Sequence, residues 1–139
     1  MPQKSIRFRR ANFLDTVAIK KIADKSAPYI TPLPLIVYAL LILLFHHSSF
    51  VVCIGKRQIG FAILIPMLTS YGWFQVAIKP EYRRKGFGTA FFKRIYSELN
   101  RPKLKALVKK ANKSSLKWHK KLGFNIIGEI FNYWLLELK

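Results

Sequence analysis

The sequence of 139 residues contains few acidic residues and almost no cysteine. Six Asp and Glu face 25 Lys and Arg, which gives a formal net charge of +19. The only cysteine, Cys53, excludes an intramolecular disulfide framework and a cysteine-based zinc site, and we expect no metal. The length suits one domain spanning residues 1–139. The apolar fraction of 51% is enough for a real core and excludes a disordered tail protein.

Long hydrophobic runs are also absent. The first eight residues lack the apolar centre of a signal peptide. The most apolar stretch, residues 33–45, has 13 residues and contains Pro34, whereas a membrane span needs about 20. We therefore expect no membrane span but a soluble, cytoplasmic protein, either monomeric or homodimeric. In it, residues 35–46 form a helix that is buried on most sides, in part at a subunit contact.

The positive charge is concentrated in one part of the chain. Residues 79–121 hold fifteen Lys and Arg against Glu81 and Glu98, a surplus of 13. Such a field attracts polyanions, whether a phosphorylated cofactor or a nucleic acid. The alternative is that the lysines only solvate helix faces.

Hydrophobic periodicity predicts a mixed α+β order in which strands and helices alternate. Asn12 or Asp15 is expected to cap a first helix with apolar positions Leu14, Val17, Ala18 and Ile22. Prolines at 28, 32 and 34 predict a loop. The remaining elements are a strand at 6–9, a helix at 35–46, a hairpin of 50–54 and 59–65, a strand at 71–78, a helix at 88–99, a strand at 104–108, a helix at 114–122, and strands at 124–130 and 133–138.

One strand-loop-helix unit stands out, at residues 75–90. A hydrophobic strand runs into a loop that bears Gly86 and Gly88 and opens directly into an amphipathic helix. The first N–H groups of a helix have no partner within it and lie at the positive end of its dipole, so they bind anions. Arg83, Arg84 and Lys85 add positive charge to this anion site.

The pattern Arg83-x-x-Gly86-x-Gly88 after a hydrophobic strand resembles the acetyl-CoA signature of the GCN5-related N-acetyltransferases (GNAT family). The segment from Asn112 to Gly123-Phe124 is similar to the second signature of that family. The resemblance covers essentially the whole chain. It implies a mixed sheet whose central strands splay apart into a V-shaped slot, flanked by helices.

The resemblance also implies how acetyl-CoA would bind. The strand backbone would pair with the pantetheine arm like an added strand, and loop N–H groups would hold the pyrophosphate, with help from the Thr89 hydroxyl. Asn112 would contact the pantetheine from the other side, unless it only caps the following helix. The implied strand residues are Val76, Ala77 and Ile78, and the loop residues are Arg84, Lys85, Gly86, Phe87, Gly88 and Thr89.

The catalytic residues are less clear, because His119 occupies the position where many family members have the tyrosine that protonates the leaving thiolate. A histidine could give or take a proton there, or simply pack beside Trp118. Tyr133 is a weaker alternative as the acid. The strand at 71–78 has no carboxylate, so the base stays open.

The predicted function is transfer of an acetyl group from acetyl-CoA to a primary amine by direct attack in a ternary complex. One alternative is a module that binds nucleic acid or ribosomes through its basic face, where Lys113, Lys117, Lys120 and Lys121 share one side of a helix. Another is a catalytically silent protein that senses acyl-CoA. The sequence does not identify the acceptor amine.

Overall fold

The computed structural model describes residues 5–26 and 30–139, so Pro28 lies outside the described residues. A seven-stranded mixed sheet with the strand order β1-β2-β3-β4-β5-β7-β6 forms its centre. The strands are β1 (Ile6–Arg10), β2 (Ser49–Ile54), β3 (Arg57–Pro66), β4 (Tyr71–Ile78), β5 (Leu104–Lys109), β6 (Asn125–Ile130) and β7 (Tyr133–Leu138). The helices are α1 (Thr16–Lys25), α2 (Leu35–Leu44), α3 (Phe87–Glu98) and α4 (Lys113–Leu122). The predicted α+β class, with helices around a mixed sheet, is confirmed.

The two halves of the sheet meet between β4 and β5 along only part of their length. Tyr71–Trp73 pair in parallel with Leu104–Ala106. Beyond that point β4 continues to Ile78 paired with β3 alone, and β5 continues to Lys109 paired with β7 alone. The central strands therefore splay apart and leave a wedge-shaped gap, as the resemblance implied.

A β-bulge lies where the strands begin to separate. On β3, Ile63 pairs with Gln75 and Leu64 with Trp73, so Phe74 is an extra residue on β4. A bulge bends its strand and redirects the side chains beyond it. The bulge thus coincides with the start of the gap.

Helices cover both faces of the sheet, but unequally. On one face, α3 and α4 pack over the strands around an aromatic cluster in which Phe92 contacts Trp73, Trp118 and Phe124. On the other face, α1 and α2 pack over the N-terminal half of the sheet, around Tyr38 and Phe61. The face that carries α1 and α2 is less completely covered at β5, where Leu107 is half exposed.

The first helix differs from its prediction. Asn12 caps a 3-10 turn at 13–15 through a bond from the Leu14 N–H, and α1 starts only at Thr16. Leu14 therefore precedes the helix and is 88% exposed. The buried residues of α1 are Thr16, Ile19, Ile22 and Ala23; of the predicted apolar positions, Ile22 is therefore buried as expected, Ala18 is half-buried and Val17 is exposed.

The prediction that the second helix is buried on most sides is wrong for the chain by itself, while the subunit contact that it included stays a prediction. Only Tyr38, Ala39 and Ile42 are buried, because α2 packs with a single stripe against the sheet and α1. Its opposite face is apolar yet exposed, with Ile36 at 66% and Leu44 at 71%. None of the described helices is long and apolar enough to cross a membrane.

The close contact of β3 with the end of β4 gives a prediction. A Cβ atom added at Gly60 would lie 2.5 Å from Ile78 Cδ1 and 2.8 Å from the Ala77 carbonyl oxygen, whereas one at Gly128 would meet nothing within 4 Å. Gly60→Ala should therefore lower the free energy of unfolding by about 1–3 kcal/mol through overpacking, and Gly128→Ala should be nearly neutral. Urea unfolding of both variants checks this, and equal stabilities would contradict it.

Candidate functional site

The loop between β4 and α3 presents a run of unpaired backbone donors. No N–H group from Arg84 to Thr89 has a hydrogen-bond acceptor among the described residues, and the first bond of the helix is from the Ala90 N–H to the Gly86 carbonyl. Arg84 and Gly86 have positive φ angles of 61° and 82°. Such turns gather successive N–H groups into a concave anion site, and the α3 dipole adds to its positive potential.

The two glycines keep this site open in different ways. At Gly86 a Cβ atom would meet nothing within 4 Å, but the φ of +82° favours glycine. At Gly88 a Cβ atom would lie 3.6 Å from Trp118 and 3.9 Å from Ile78, which is ordinary contact. A longer side chain there would fill the space between the end of β4 and α4.

The Arg83 side chain faces the protein and ties the loop to it. Its Nε donates to the Ile78 carbonyl at 2.8 Å, and its Nη2 donates to the Ser26 hydroxyl at 3.0 Å. Ser26 is buried and donates in turn to the Ile22 carbonyl. Arg83 therefore links the start of the loop to the end of α1. Sequence reasoning placed its charge at the anion site and missed Ser26.

The exposed charges of the loop are those of Arg84 and Lys85. The Lys85 ammonium lies 6.0 Å from the centre of the Tyr82 ring, which in turn packs edge-on against Phe87. Glu81 is exposed in the short 3-10 turn before the loop.

A side-chain hydrogen bond joins the N-terminal end of α3 to α4. The Trp118 Nε1–H donates to the Thr89 hydroxyl oxygen at 3.1 Å, so this hydroxyl keeps its own proton to donate to a bound anion. Asn112 caps α4, because its Oδ1 accepts from the Ser115 N–H at 3.1 Å. The cap leaves the amide NH2 group of Asn112 able to donate elsewhere.

The edge of β4 that borders the gap supplies more backbone groups. Val76, Ala77 and Ile78 pair with β3 on one side and with no described strand on the other. Alternate N–H and C=O groups of an unpaired strand edge face outward and can accept an added strand. The anion site of the loop and this strand edge meet at Ile78.

His119 lies in the core between α4 and the sheet. Its ring packs edge-on against Trp118 and Phe124, with centroids 5.0 and 5.2 Å away. Because its Nδ1 is 2.7 Å from the Ser115 carbonyl oxygen, which can only accept, Nδ1 carries the proton. Burial lowers the pKa of His119 below its usual 6.5. The neutral ring therefore offers a lone pair on Nε2, which has no partner among the described residues.

The structure does not bring Tyr133 and His119 together. Trp134 and Leu136 belong to the core under α3 and α4, so Tyr133, at the start of β7, lies on the opposite face of the strand. Tyr133 pairs across the sheet with Lys109 and Ile130 and is half-buried.

Sequence reasoning also missed a buried polar network at the start of the gap. Gln75 on β4 accepts a bond from the Tyr38 hydroxyl at 2.7 Å and donates to the Thr31 carbonyl at 2.8 Å. The Tyr38 oxygen accepts from the Leu33 N–H at 3.2 Å. The network fastens the chain before α2 to β4. Its only sequence signal is one glutamine in an otherwise apolar strand.

Comparison with known families identifies the fold. The model of the acetyltransferase (GNAT) domain matches residues 46–126. The chain belongs to the GNAT acetyltransferase family. Membership makes the protein an acyltransferase of the acetyl-CoA-dependent class. Among the described residues, no group of three or more His, Cys, Asp and Glu could hold a metal ion.

Solved structures of this GNAT chain's relatives share its fold at low sequence identity. Ard1 from Thermoplasma volcanium has a TM-score of 0.85 at 17% identity over 96% of each chain. The ribosomal-protein-S18-alanine N-acetyltransferase from Escherichia coli has a TM-score of 0.80 at 18% identity, covering 96% of this chain and 93% of its own. The structure of yncA from Salmonella typhimurium with its cofactor acetyl-CoA has a TM-score of 0.76 at 18% identity, covering 96% of this chain and 93% of its own. No curated protein matches the sequence.

The burial of His119 gives a prediction about pH. Its pKa is lower in the folded than in the unfolded chain, so the unfolded chain binds the proton first as pH falls. The stability from neutral His119 is complete above pH 6.5 and is lost as pH falls through the folded pKa. Between pH 7.5 and 5.5, urea unfolding should show that His119→Gln loses less free energy of unfolding than the wild type. The difference between the two slopes against pH should be at most about 1.4 kcal/mol per pH unit. The exposed His47→Gln is the control, and equal pH dependence in all three proteins would contradict the burial of a neutral ring.

Proposed function

We propose that the protein transfers the acetyl group of acetyl-CoA to a primary amine in a ternary complex. The observation that carries this proposal is the run of N–H groups from Arg84 to Thr89 without acceptors, continuous with the unpaired edge of β4. A pyrophosphate needs several convergent donors and a positive field, and a pantetheine amide chain needs a strand edge. The chain supplies both in the order that one extended ligand requires.

The residues have separate roles in this proposal. The loop N–H groups, the Thr89 hydroxyl and the charges of Arg84 and Lys85 hold the pyrophosphate. The backbone of Val76–Ile78 pairs with the pantetheine arm, and Asn112 approaches it from the α4 side with its NH2 group. Arg83 fixes the loop through Ile78 and Ser26.

The chemistry needs an amine positioned near the thioester and a way to move protons. The amine nitrogen attacks the thioester carbonyl carbon, the C–S bond breaks, and the thiolate leaves. A thiol pKa of about 8.5 makes that thiolate a fair leaving group near neutral pH. The β4 N–H group of Val76 stabilises the developing oxyanion, since the other expected donor, the N–H group of Ala77, is turned toward β3. Holding both substrates in one gap supplies much of the rate.

The proton role falls to His119 as a relay. With its proton on Nδ1 held by the Ser115 carbonyl, the neutral ring takes a proton at Nε2 more readily than it gives one. Tyr133 is the weaker alternative, and its hydroxyl would act from the opposite face of the sheet. If acetyl-CoA binds but no amine is acetylated, the protein is a silent acyl-CoA sensor.

The charge of the chain narrows the class of acceptor. A net charge of +19 repels polycationic amines such as polyamines. The acceptor is therefore a neutral or anionic molecule, or an amine held on a polyanion such as RNA or a ribosome. The fold likeness to the ribosomal-protein-S18-alanine N-acetyltransferase agrees with an acceptor of the last kind. The free, buried thiol of Cys53 is consistent with a reducing cytoplasm.

The test of acetyl-CoA binding uses Gly88. Gly88→Leu places a good helix former in the first turn of α3 but fills the space beside Ile78 and Trp118. It should weaken acetyl-CoA binding at least tenfold in calorimetry, while Gly128→Leu, on the open side of β6, should leave binding unchanged. Wild-type binding should also raise the melting temperature. Undetectable wild-type binding, or equal binding by Gly88→Leu, would contradict the proposed site. A screen of amines, with mass detection of the acetylated product, then identifies the acceptor.

The proton role is tested by kinetics on the amine found in that screen. His119→Ala should lower kcat by roughly 10²-fold, and His119→Tyr should keep a good part of the activity. Tyr133→Phe should have little effect. A kcat of His119→Ala within a few-fold of the wild type would make this histidine structural. A large loss in Tyr133→Phe would then assign the proton to Tyr133, and full activity of both variants would assign it to water.

A further inference from the structure

The outer face of α4 carries only positive charge. Lys113, Lys117, Lys120 and Lys121 are all exposed, and none of the ten residues of α4 is acidic. Each of the five ion pairs found among the described residues lies elsewhere, and none includes a lysine of α4. These four lysines, named here the α4 lysine face, line one open depression together with Leu116.

The arrangement differs from that of the other charged helices. On α1, Lys20 pairs with Asp24 at 2.8 Å, and on α3, Arg94 pairs with Glu98 at 3.2 Å, each four residues apart. On α4, the residues three or four positions from Lys117 include Lys113, Lys120 and Lys121. Like charges at this spacing destabilise a helix. An ordinary solvated face would be relieved by acidic residues, as α1 and α3 are.

The spacing of the four ammonium groups fits a phosphate backbone. At 1.5 Å per residue, Lys113 and Lys121 are about 12 Å apart along the helix axis. In a stacked, helical strand the phosphates rise by about 3.4 Å each along the axis, so the length of the face matches about three or four successive phosphates of such a strand. We propose that the α4 lysine face binds the phosphate backbone of a nucleic-acid strand.

Other occupants fit less well. A membrane surface needs apolar side chains beside the charges, but Leu116 and Leu122 are half-buried and the exposed apolar residues of α2 lie over the other face of the sheet. The coenzyme has one phosphate besides its pyrophosphate, which cannot occupy four lysines. With Trp118 turned toward α3 to donate to Thr89, no aromatic side chain is exposed on α4 for stacking with bases. Binding should therefore depend little on base sequence.

Strand binding at the α4 lysine face does not depend on the proposed function. Only the use of that binding, to hold an acceptor amine near the gap, rests on it. Trp118 joins α4 to Thr89 of the phosphate loop, so a strand on the α4 lysine face would hold an attached amine near the gap. Binding of the strand itself requires no acetyl-CoA. The two proposals can therefore fail separately.

The experiment measures binding of short, single-stranded RNA and DNA of one sequence by fluorescence anisotropy, between about 50 and 200 mM salt. The test variant changes Lys113, Lys117, Lys120 and Lys121 to glutamine. The control variant changes four exposed lysines elsewhere, Lys21, Lys25, Lys56 and Lys139, and so has the same net charge. Each phosphate contact contributes about 0.7 to the slope of log affinity against log salt concentration. The slope of the test variant should therefore be smaller by about 2–3, and this variant should bind at least tenfold more weakly than the control. Equal binding of RNA and DNA would indicate that the protein contacts phosphates alone. Tighter binding of RNA would indicate an additional contact with the ribose hydroxyl.

Three results would overturn the proposal. Equal losses in the two variants would mean that only diffuse charge matters. Unchanged strand binding with weaker acetyl-CoA binding in the test variant would assign the α4 lysine face to the coenzyme. Binding of poly-glutamate in preference to both strands, lost in the test variant, would assign it to an acidic protein. In the expected case the test variant keeps wild-type affinity for acetyl-CoA, which distinguishes loss of the strand site from loss of the acetyl-CoA site.

Discussion

The loss of pairing between β4 and β5 beyond Trp73 is the constraint on which the site depends. Backbone N–H and C=O groups are normally satisfied within a folded chain. Here the edge of β4 up to Ile78 and the loop from Arg84 to Thr89 leave such groups unsatisfied along one continuous path. Unpaired groups at the surface can be hydrated, and a ligand with complementary amides and phosphates can replace that water. The same feature therefore divides the sheet and creates the binding path.

Side-chain contacts from the α1–α2 layer hold this path in shape. Arg83 ties the start of the loop to Ser26 at the end of α1, and Gln75 ties β4 to Tyr38 of α2 and to Thr31 before it. Both networks are largely buried, where a lost partner leaves an unsatisfied polar group. The layer that covers the N-terminal half of the sheet thus also positions the two parts of β4 that border the gap.

Much of this could be predicted from the sequence, because local patterns determine it. The bounds of β4 and β7 were predicted as they stand, and the α3 junction followed from its glycines and the hydrophobic strand before it. What failed depends on contacts between distant residues. The exposure of Leu44 depends on which elements pack on α2, and the bond of Gln75 to Tyr38 joins residues 37 positions apart. Likewise, the inward turn of Arg83 requires Ser26, 57 positions away. Charge and periodicity alone do not contain these pairings.

The most direct measurement of the central claim is the set of backbone amide chemical shifts in a 15N-labelled sample titrated with acetyl-CoA. The largest changes should fall on the amides from Arg84 to Thr89 and on those of Val76 and Ile78, because the loop donors have no described acceptor and these two β4 donors alternate with the ones bonded to β3 and so face the gap. Changes confined to other parts of the sheet or to the outer face of α4, or no changes at saturating acetyl-CoA, would contradict the assignment of this path to the coenzyme.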